Sequence, residues 1–71
     1  MKKIKYTGTF INHDGDTYHL DVYCNGFIKA TILLTAEAIK LDKHYQLDHI
    51  INENGNKRTV GDILIIDNIL L

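Results

Sequence analysis

With 71 residues, the chain is shorter than a typical domain of roughly 100–150 residues, so we expect one domain over residues 1–71 with one hydrophobic core. Hydrophobic residues make up 45% of the chain, which excludes a disordered polar segment. The formal net charge of −1 excludes a strongly basic domain of the kind that binds nucleic acid through its overall charge.

The first half of the chain predicts three antiparallel strands joined by tight turns. Apolar and polar side chains alternate along Ile4–Ile11 and Thr17–Cys24, which is the period of a half-buried strand. The turns after them contain Gly15 and Gly26, and glycine adopts a positive φ without steric strain. A third strand is predicted over Phe27–Leu34. The side chains of that strand predicted to face the core are Ile28, Ala30, Ile32 and Leu34.

The second half predicts a short helix and a hairpin. Thr35 is placed to cap a helix over Ala36–Leu41, a segment rich in helix-favouring residues. Tyr45–Asn52 and Lys57–Val60 are the predicted arms of a hairpin whose turn contains Gly55. The apolar spacing of the first arm also fits a longer helix, and we favour a strand because a hairpin turn follows it.

The closing run Ile63–Leu71 is apolar on both faces, so another part of a protein must cover it. In a monomer it is predicted to be a central strand or a short helix against the sheet, and in an oligomer a contact surface. It is about half the roughly 20 residues that a membrane-spanning helix needs, so we expect no membrane span.

The predicted fold is mainly β, or a β-rich α+β class. The order of three strands, one helix and two strands indicates a small five-stranded antiparallel barrel or curled sheet, with one short helix between strands three and four. This order is similar to that of small barrels of the oligonucleotide-binding or SH3-like kind. The similarity concerns element order and does not establish function.

A metal site is one alternative. His13, Asp14 and His19 carry imidazole and carboxylate groups, which are ligands for zinc and related metals. Counted from Asp14, however, the sixth and twelfth positions of a calcium loop hold His19 and Asn25 instead of glycine and glutamate. A polar turn that leads into a solvated strand face is the simpler interpretation, and we expect no cofactor.

No catalytic motif is evident, and we expect a protein that is not an enzyme. The single Cys24 excludes an intrachain disulfide and fits a reducing, cytoplasmic location. It lies beside Val22 on the predicted inner face, where a cysteine is a small buried hydrophobe. The five glycines are too scattered to form a phosphate-binding loop.

Nucleic-acid binding is a second alternative. Single-strand binders combine a basic groove with aromatic stacking platforms. Tyr23, Phe27, Lys5 and Lys29 are predicted to share the outer face of the first three strands. The negative charge of Asp21 on the same face offsets the positive charge of the lysines, so this function is not favoured.

The leading hypothesis is a small, cytoplasmic, self-associating protein-interaction or regulatory module that acts by occupancy. The short chain, the absence of a disulfide and the apolar closing run support it. A charge at Ile65 or Ile66 is expected to dissolve the assembly. The residues of the run predicted to form the interface are Ile65, Ile66, Ile69, Leu70 and Leu71. The high isoleucine and asparagine content suggests a low-GC bacterial or phage source.

Overall fold

The computed structural model describes residues 3–41 and 44–63. The elements in chain order are strand β1 (Ile4–Ile11), strand β2 (Thr17–Cys24), helix α1 (Phe27–Leu41), strand β3 (Gln46–Asn52) and strand β4 (Lys57–Thr59). The four strands form one antiparallel sheet in the order β2-β1-β3-β4. In the described part of the chain, no helix has both the length and the apolar content needed to cross a membrane.

The first hairpin forms as its alternation predicts, and the predicted bounds of β1 and β2 are confirmed. The two strands pair without interruption from Ile4 opposite Cys24 to Ile11 opposite Thr17. Every second residue of β1 from Tyr6 onward is buried on one face of the sheet. β1 is an inner strand, with β2 on one side and β3 on the other.

The predicted strand over Phe27–Leu34 is wrong, because this segment is the first half of α1. Ala30 and Leu34 are two of the four positions that suggested a strand face, but they are also four residues apart, and Ala38 continues that helical spacing. The segment also contains alanine, leucine and lysine, which favour helix. The turn at Asn25 and Gly26, which predicted a hairpin, therefore precedes a helix. The Gly26 carbonyl accepts a hydrogen bond from the Ala30 amide at 3.0 Å.

The predicted five-stranded barrel is wrong for the same reason. With one predicted strand converted to helix, four strands remain in residues 3–41 and 44–63, and these four form an open sheet and not a closed barrel. α1 has 15 residues, connects β2 to β3, and packs chiefly against β2. Thr35, predicted to cap a short helix, lies inside α1.

The core lies between α1 and one face of the sheet. Small side chains on the inner side of the helix let it approach the strands closely, and Gly8 lies beneath Leu34. Phe10 stacks on Tyr18 with ring centroids 5.2 Å apart. The buried hydrophobic residues in the described part are Tyr6, Phe10, Cys24, Ala30, Leu34, Ala38, Ile50 and Ile63.

β3 contains one extra residue relative to β1. Thr9 pairs with His49 and Phe10 pairs with Leu47, so Asp48 is the bulged residue. The bulge places the Asp48 carboxylate 2.7 Å from Nδ1 of its neighbour His49. The prediction of a strand here is confirmed, with a start one residue later than expected.

β4 ends where a helical turn begins. The Thr59 hydroxyl accepts a hydrogen bond from the Asp62 amide at 3.2 Å, and the Asp62 carboxylate accepts one from the Thr59 amide at 3.3 Å. This reciprocal pair is a capping box, which stabilises a helix start. Residues 60–63 are accordingly helical, and β4 is one residue shorter than predicted. The rest of the predicted closing run, residues 64–71, lies outside the described residues.

The β1–β2 and β3–β4 loops share one hydrogen-bond pattern built on an asparagine. The side-chain oxygen of Asn12 accepts the amides two and four residues later at 3.0 and 2.9 Å, and that of Asn52 does the same at the same distances. Gly15 and Gly55 donate to the carbonyls of these asparagines with φ of 89° and 87°. Glycine is favoured at both positions because L side chains rarely adopt such φ values.

Burial distinguishes the two asparagines. Asn52 is 7% exposed, whereas Asn12 is half-buried and open to water. We expect Asn52→Ala to lower the free energy of unfolding by about 1–3 kcal/mol, because two backbone amides lose an acceptor that is held in place by burial of the Asn52 side chain. Asn12→Ala is the matched control and should have a smaller effect in urea unfolding. Equal losses of unfolding free energy at both positions would show that burial of the Asn52 side chain does not cause the effect.

Candidate interaction surface

α1 has apolar residues on two opposite sides. Its inner side packs on the sheet through Ala30, Leu34 and Ala38. Ile32 and Ile39 lie seven residues apart, which is about two helical turns, so they share the other side. They are 64% and 62% exposed. We define the α1 surface as the outward stripe formed by Ile28, Ile32, Ala36 and Ile39.

A groove of about 520 Å³ adjoins the α1 surface, between the first turns of α1 and the end of β4. It shares Ile28 and Ile32 with the α1 surface, so the two form one continuous apolar area. Ile63, whose side chain is 4% exposed, lines it from the helical turn after β4. Burying such an area removes apolar side chains from water, which is the main favourable term in protein association.

Two cations line this groove. The Arg58 guanidinium lies 5.2 Å from the centroid of the Phe27 ring and donates a hydrogen bond to the Lys57 carbonyl at 2.8 Å. Phe27 in turn packs edge-on against Tyr6 at 5.1 Å, so the ring beneath the guanidinium is fixed. Lys29 supplies the second positive charge, and no carboxylate of the described residues lines the groove. The groove is therefore apolar and positively charged.

The residues predicted to bind nucleic acid do not share one face. Tyr23 is 64% exposed on the side of the sheet away from α1, next to its strand partner Lys5. Phe27 and Lys29 lie on α1, where both line the groove. The shared outer face predicted for these four residues does not form, because it required a strand at Phe27–Leu34.

The three predicted metal ligands do not form one cluster. Nε2 of His13 lies 3.7 Å from the Asp14 carboxylate in an exposed loop, and its ring centroid is 6.5 Å from that of His44. Nδ1 of His19 lies 3.0 Å from the hydroxyl of Thr9 on the open face of the sheet. In residues 3–41 and 44–63, no three histidine, cysteine or acidic side chains are grouped to hold a metal ion.

A second cleft, of about 490 Å³, lies between the β1–β2 loop and the start of β3. His13, His44 and Asp48 line it. One oxygen of the Asp48 carboxylate lies 2.7 Å from Nδ1 of His49, which does not line the cleft. Ile11 and Leu47 also line the cleft, but polar side chains make up most of its lining.

Cys24 is buried as predicted, with 1% of its surface exposed. Its sulfur lies 3.6 Å from the Gly26 carbonyl oxygen, to which the thiol donates a weak hydrogen bond. Cys24 therefore contributes packing at the junction of β2 and α1.

Of the apolar closing run, Ile63 is described and lines the groove. The other residues of the run predicted to form the interface lie outside the described residues. They are Ile65, Ile66, Ile69, Leu70 and Leu71.

Comparison of the chain with protein families, with curated proteins and with solved structures finds no match.

Arg58 was not anticipated from the sequence. A single arginine in a short strand usually indicates a solvated side chain, and nothing in the order of residues places it above Phe27. Its role depends on the first turn of α1 lying near Arg58 of β4, which the strand interpretation of Phe27–Leu34 did not predict.

Proposed function

We propose that this chain is a small, non-catalytic protein-interaction module that self-associates and acts by occupancy rather than by chemistry. The α1 surface is the proposed contact, and a second copy of the chain is the proposed partner. A surface used by both copies in the same way is typical of two-fold symmetric dimers, which are the commonest oligomers.

The exposure of Ile32 and Ile39 on one side of α1 is the observation that supports this proposal. A helix that packs on a sheet through one side normally carries polar residues on the other. Contiguous exposed apolar residues of this kind are typical of interaction sites. Fully burying an isoleucine side chain contributes roughly 1.5–3 kcal/mol, so four such side chains in a symmetric dimer are a substantial driving force.

Ala36 supports a helix-to-helix contact. It lies between Ile32 and Ile39 on the α1 surface, and its side chain is small and exposed. Two antiparallel α1 helices with their two-fold axis beside Ala36 would set Ile32 of each copy against Ile39 of the other. The small residue at the centre permits the close approach that such packing needs.

The groove adds specificity to this contact. Lys29 and Arg58 attract carboxylates, and Arg58 over Phe27 is a combination of residue types enriched at protein interfaces. Complementary charges mainly select the partner and its orientation, whereas apolar burial supplies most of the affinity. The geometry thus supports binding of a protein surface over binding of a small polar ligand.

We expect Ile32→Glu and Ile39→Glu each to reduce the solution mass to half or less of that of the unmodified chain. Glutamate favours helix, so α1 should persist while its carboxylate opposes burial. Ile51→Glu is the matched control, because Ile51 is 39% exposed on the opposite face of the sheet. Light scattering measures the mass, and far-UV circular dichroism verifies folding. A folded Ile32→Glu chain with the unmodified mass would contradict the proposal.

A further inference from the structure

The two edges of the described sheet differ in how well they are protected. β4 has three residues and is followed at once by a helical turn, so it offers little backbone for pairing. β2 has eight residues, contains neither proline nor lysine, and pairs with β1 without a bulge. Proline, charged side chains and above all lysine, bulges and short length are the common means by which proteins block edge pairing. Of these, β2 has one charged carboxylate, that of Asp21.

The hydrogen bonding of the first hairpin determines which backbone groups of β2 point outward. The Asn12 amide donates to the Asp16 carbonyl at 3.0 Å, which makes these two residues a hydrogen-bonded pair. Such pairs alternate with non-hydrogen-bonded pairs along an antiparallel ladder. The residues of β2 that bond to β1 are therefore Tyr18, Leu20, Val22 and Cys24. Those with outward amides and carbonyls are Thr17, His19, Asp21 and Tyr23.

Two of the outward residues carry complementary polar groups. Nδ1 of His19 is engaged by the Thr9 hydroxyl at 3.0 Å, and one carboxylate oxygen of Asp21 accepts a hydrogen bond from the Thr7 hydroxyl at 2.6 Å. These contacts orient both side chains on the open face of the sheet. Nε2 of His19 and the second carboxylate oxygen of Asp21 have no partner among the described residues.

We propose that β2 pairs antiparallel with β2 of a second copy, with the two-fold axis at Leu20. This register sets His19 of each copy opposite Asp21 of the other, so the imidazole–carboxylate contact forms twice. On the side of the sheet that carries α1, it sets Tyr18 opposite Val22, an aromatic and β-branched pair of the kind that stabilises antiparallel strands. The result is one continuous sheet of eight strands.

Neighbouring registers are excluded by backbone geometry and by charge. An axis between two residues opposes outward backbone groups to inward ones, so no ladder forms. An axis at Asp21 sets the two carboxylates against each other, which is destabilising. An axis at His19 opposes the two imidazoles and loses both contacts with Asp21. The axis at Leu20 satisfies the outward backbone groups and both polar side chains together.

This interface goes beyond the proposed function, because it uses β2 and leaves the α1 surface free. A chain with both contacts assembles beyond a dimer, and loss of the α1 contact leaves the β2 dimer. The test is therefore made in chains that carry Ile32→Glu, so that its outcome does not depend on the α1 surface.

The experiment uses two variants in that background, Asp21→Lys and His19→Glu. When Asp21→Lys is alone, its ammonium group lies opposite the His19 imidazole of a second molecule of the same variant. When His19→Glu is alone, its new carboxylate lies opposite the Asp21 carboxylate of a second molecule. Mixed in equal amounts, the two chains present a lysine opposite a glutamate and a histidine opposite an aspartate. We expect each variant alone to have the monomer mass of 8.1 kDa and the mixture to have twice that mass.

Thr17→Glu in the same background is the control. It adds the same glutamate as His19→Glu to the same face of β2, but the proposed register places it opposite Tyr23, so the dimer should persist. Circular dichroism establishes that every variant is folded. A mixture that stays at 8.1 kDa, or single variants that keep the dimer mass, would overturn the β2 pairing.

Discussion

Leu34→Ala is expected to lower the free energy of unfolding by about 2–5 kcal/mol, the usual range for a large-to-small change in a core. Leu34 has no exposed surface and lies on the inner side of α1, directly above Gly8. A domain of this length has a stability of roughly 4–11 kcal/mol, at about 0.05–0.15 kcal/mol per residue. The substitution therefore removes a large share of it.

Leu33→Ala is the matched control, since Leu33 is its neighbour in the same helix and is 38% exposed. Both substitutions remove the same atoms and have the same effect on helix propensity. Urea unfolding followed by circular dichroism should give a loss at Leu34 at least double that at Leu33. Equal losses would show that α1 does not pack on the sheet through its Ala30, Leu34 and Ala38 side.

Gly8→Val is expected to lower the free energy of unfolding by about 1–3 kcal/mol, because it overfills a packed core. A Cβ atom at Gly8 would lie 2.8 Å from Cδ1 of Leu34 and 3.1 Å from Cδ1 of Leu47. Leu34 is fully buried, so it cannot move away without disturbing α1. Urea unfolding of the variant measures the loss directly.

Gly8→Ala and Leu34→Ala, made separately and together, test whether a direct clash with Leu34 causes the loss expected for a larger residue at Gly8. If the two residues compete for the same space, the double variant loses less stability than the sum of the single variants, because each change relieves the other. Additive losses in the free energy of unfolding would contradict a direct contact between β1 and α1 at this point.

The sequence was sufficient for the strands that flank the hairpin turns. In Ile4–Ile11 and Thr17–Cys24 the residues of one face are more buried than those of the other, so alternation follows burial directly. It was insufficient for α1, because positions 30 and 34 satisfy both the strand and the helix spacing. Packing against the sheet decides between a strand and a helix, and the local sequence pattern does not show where the sheet lies.

That error also determined what could be predicted of the candidate site. In a strand, Ile32 shares a face with Leu34 and was expected in the core. In a helix the two are about 200° apart, so one is buried and the other exposed. Phe27 and Lys29 both line the groove, with Arg58 and Ile63 as neighbours instead of the predicted Tyr23 and Lys5.

The β2 edge depends on information that alternation does not contain. The pattern of side chains identifies which face each residue occupies, but not which residues direct their amides and carbonyls away from β1. That assignment requires the pairing register and the Asn12–Asp16 hydrogen bond of the loop. The register and this hydrogen bond together show that His19 and Asp21 both lie at outward positions of β2, where they can contact a second copy.

The solution mass of the unmodified chain, measured by light scattering over a range of concentrations with and without chelator, tests self-association most directly. The proposal predicts a mass that is a multiple of 8.1 kDa and that chelator does not change. A mass of 8.1 kDa at every concentration would contradict it.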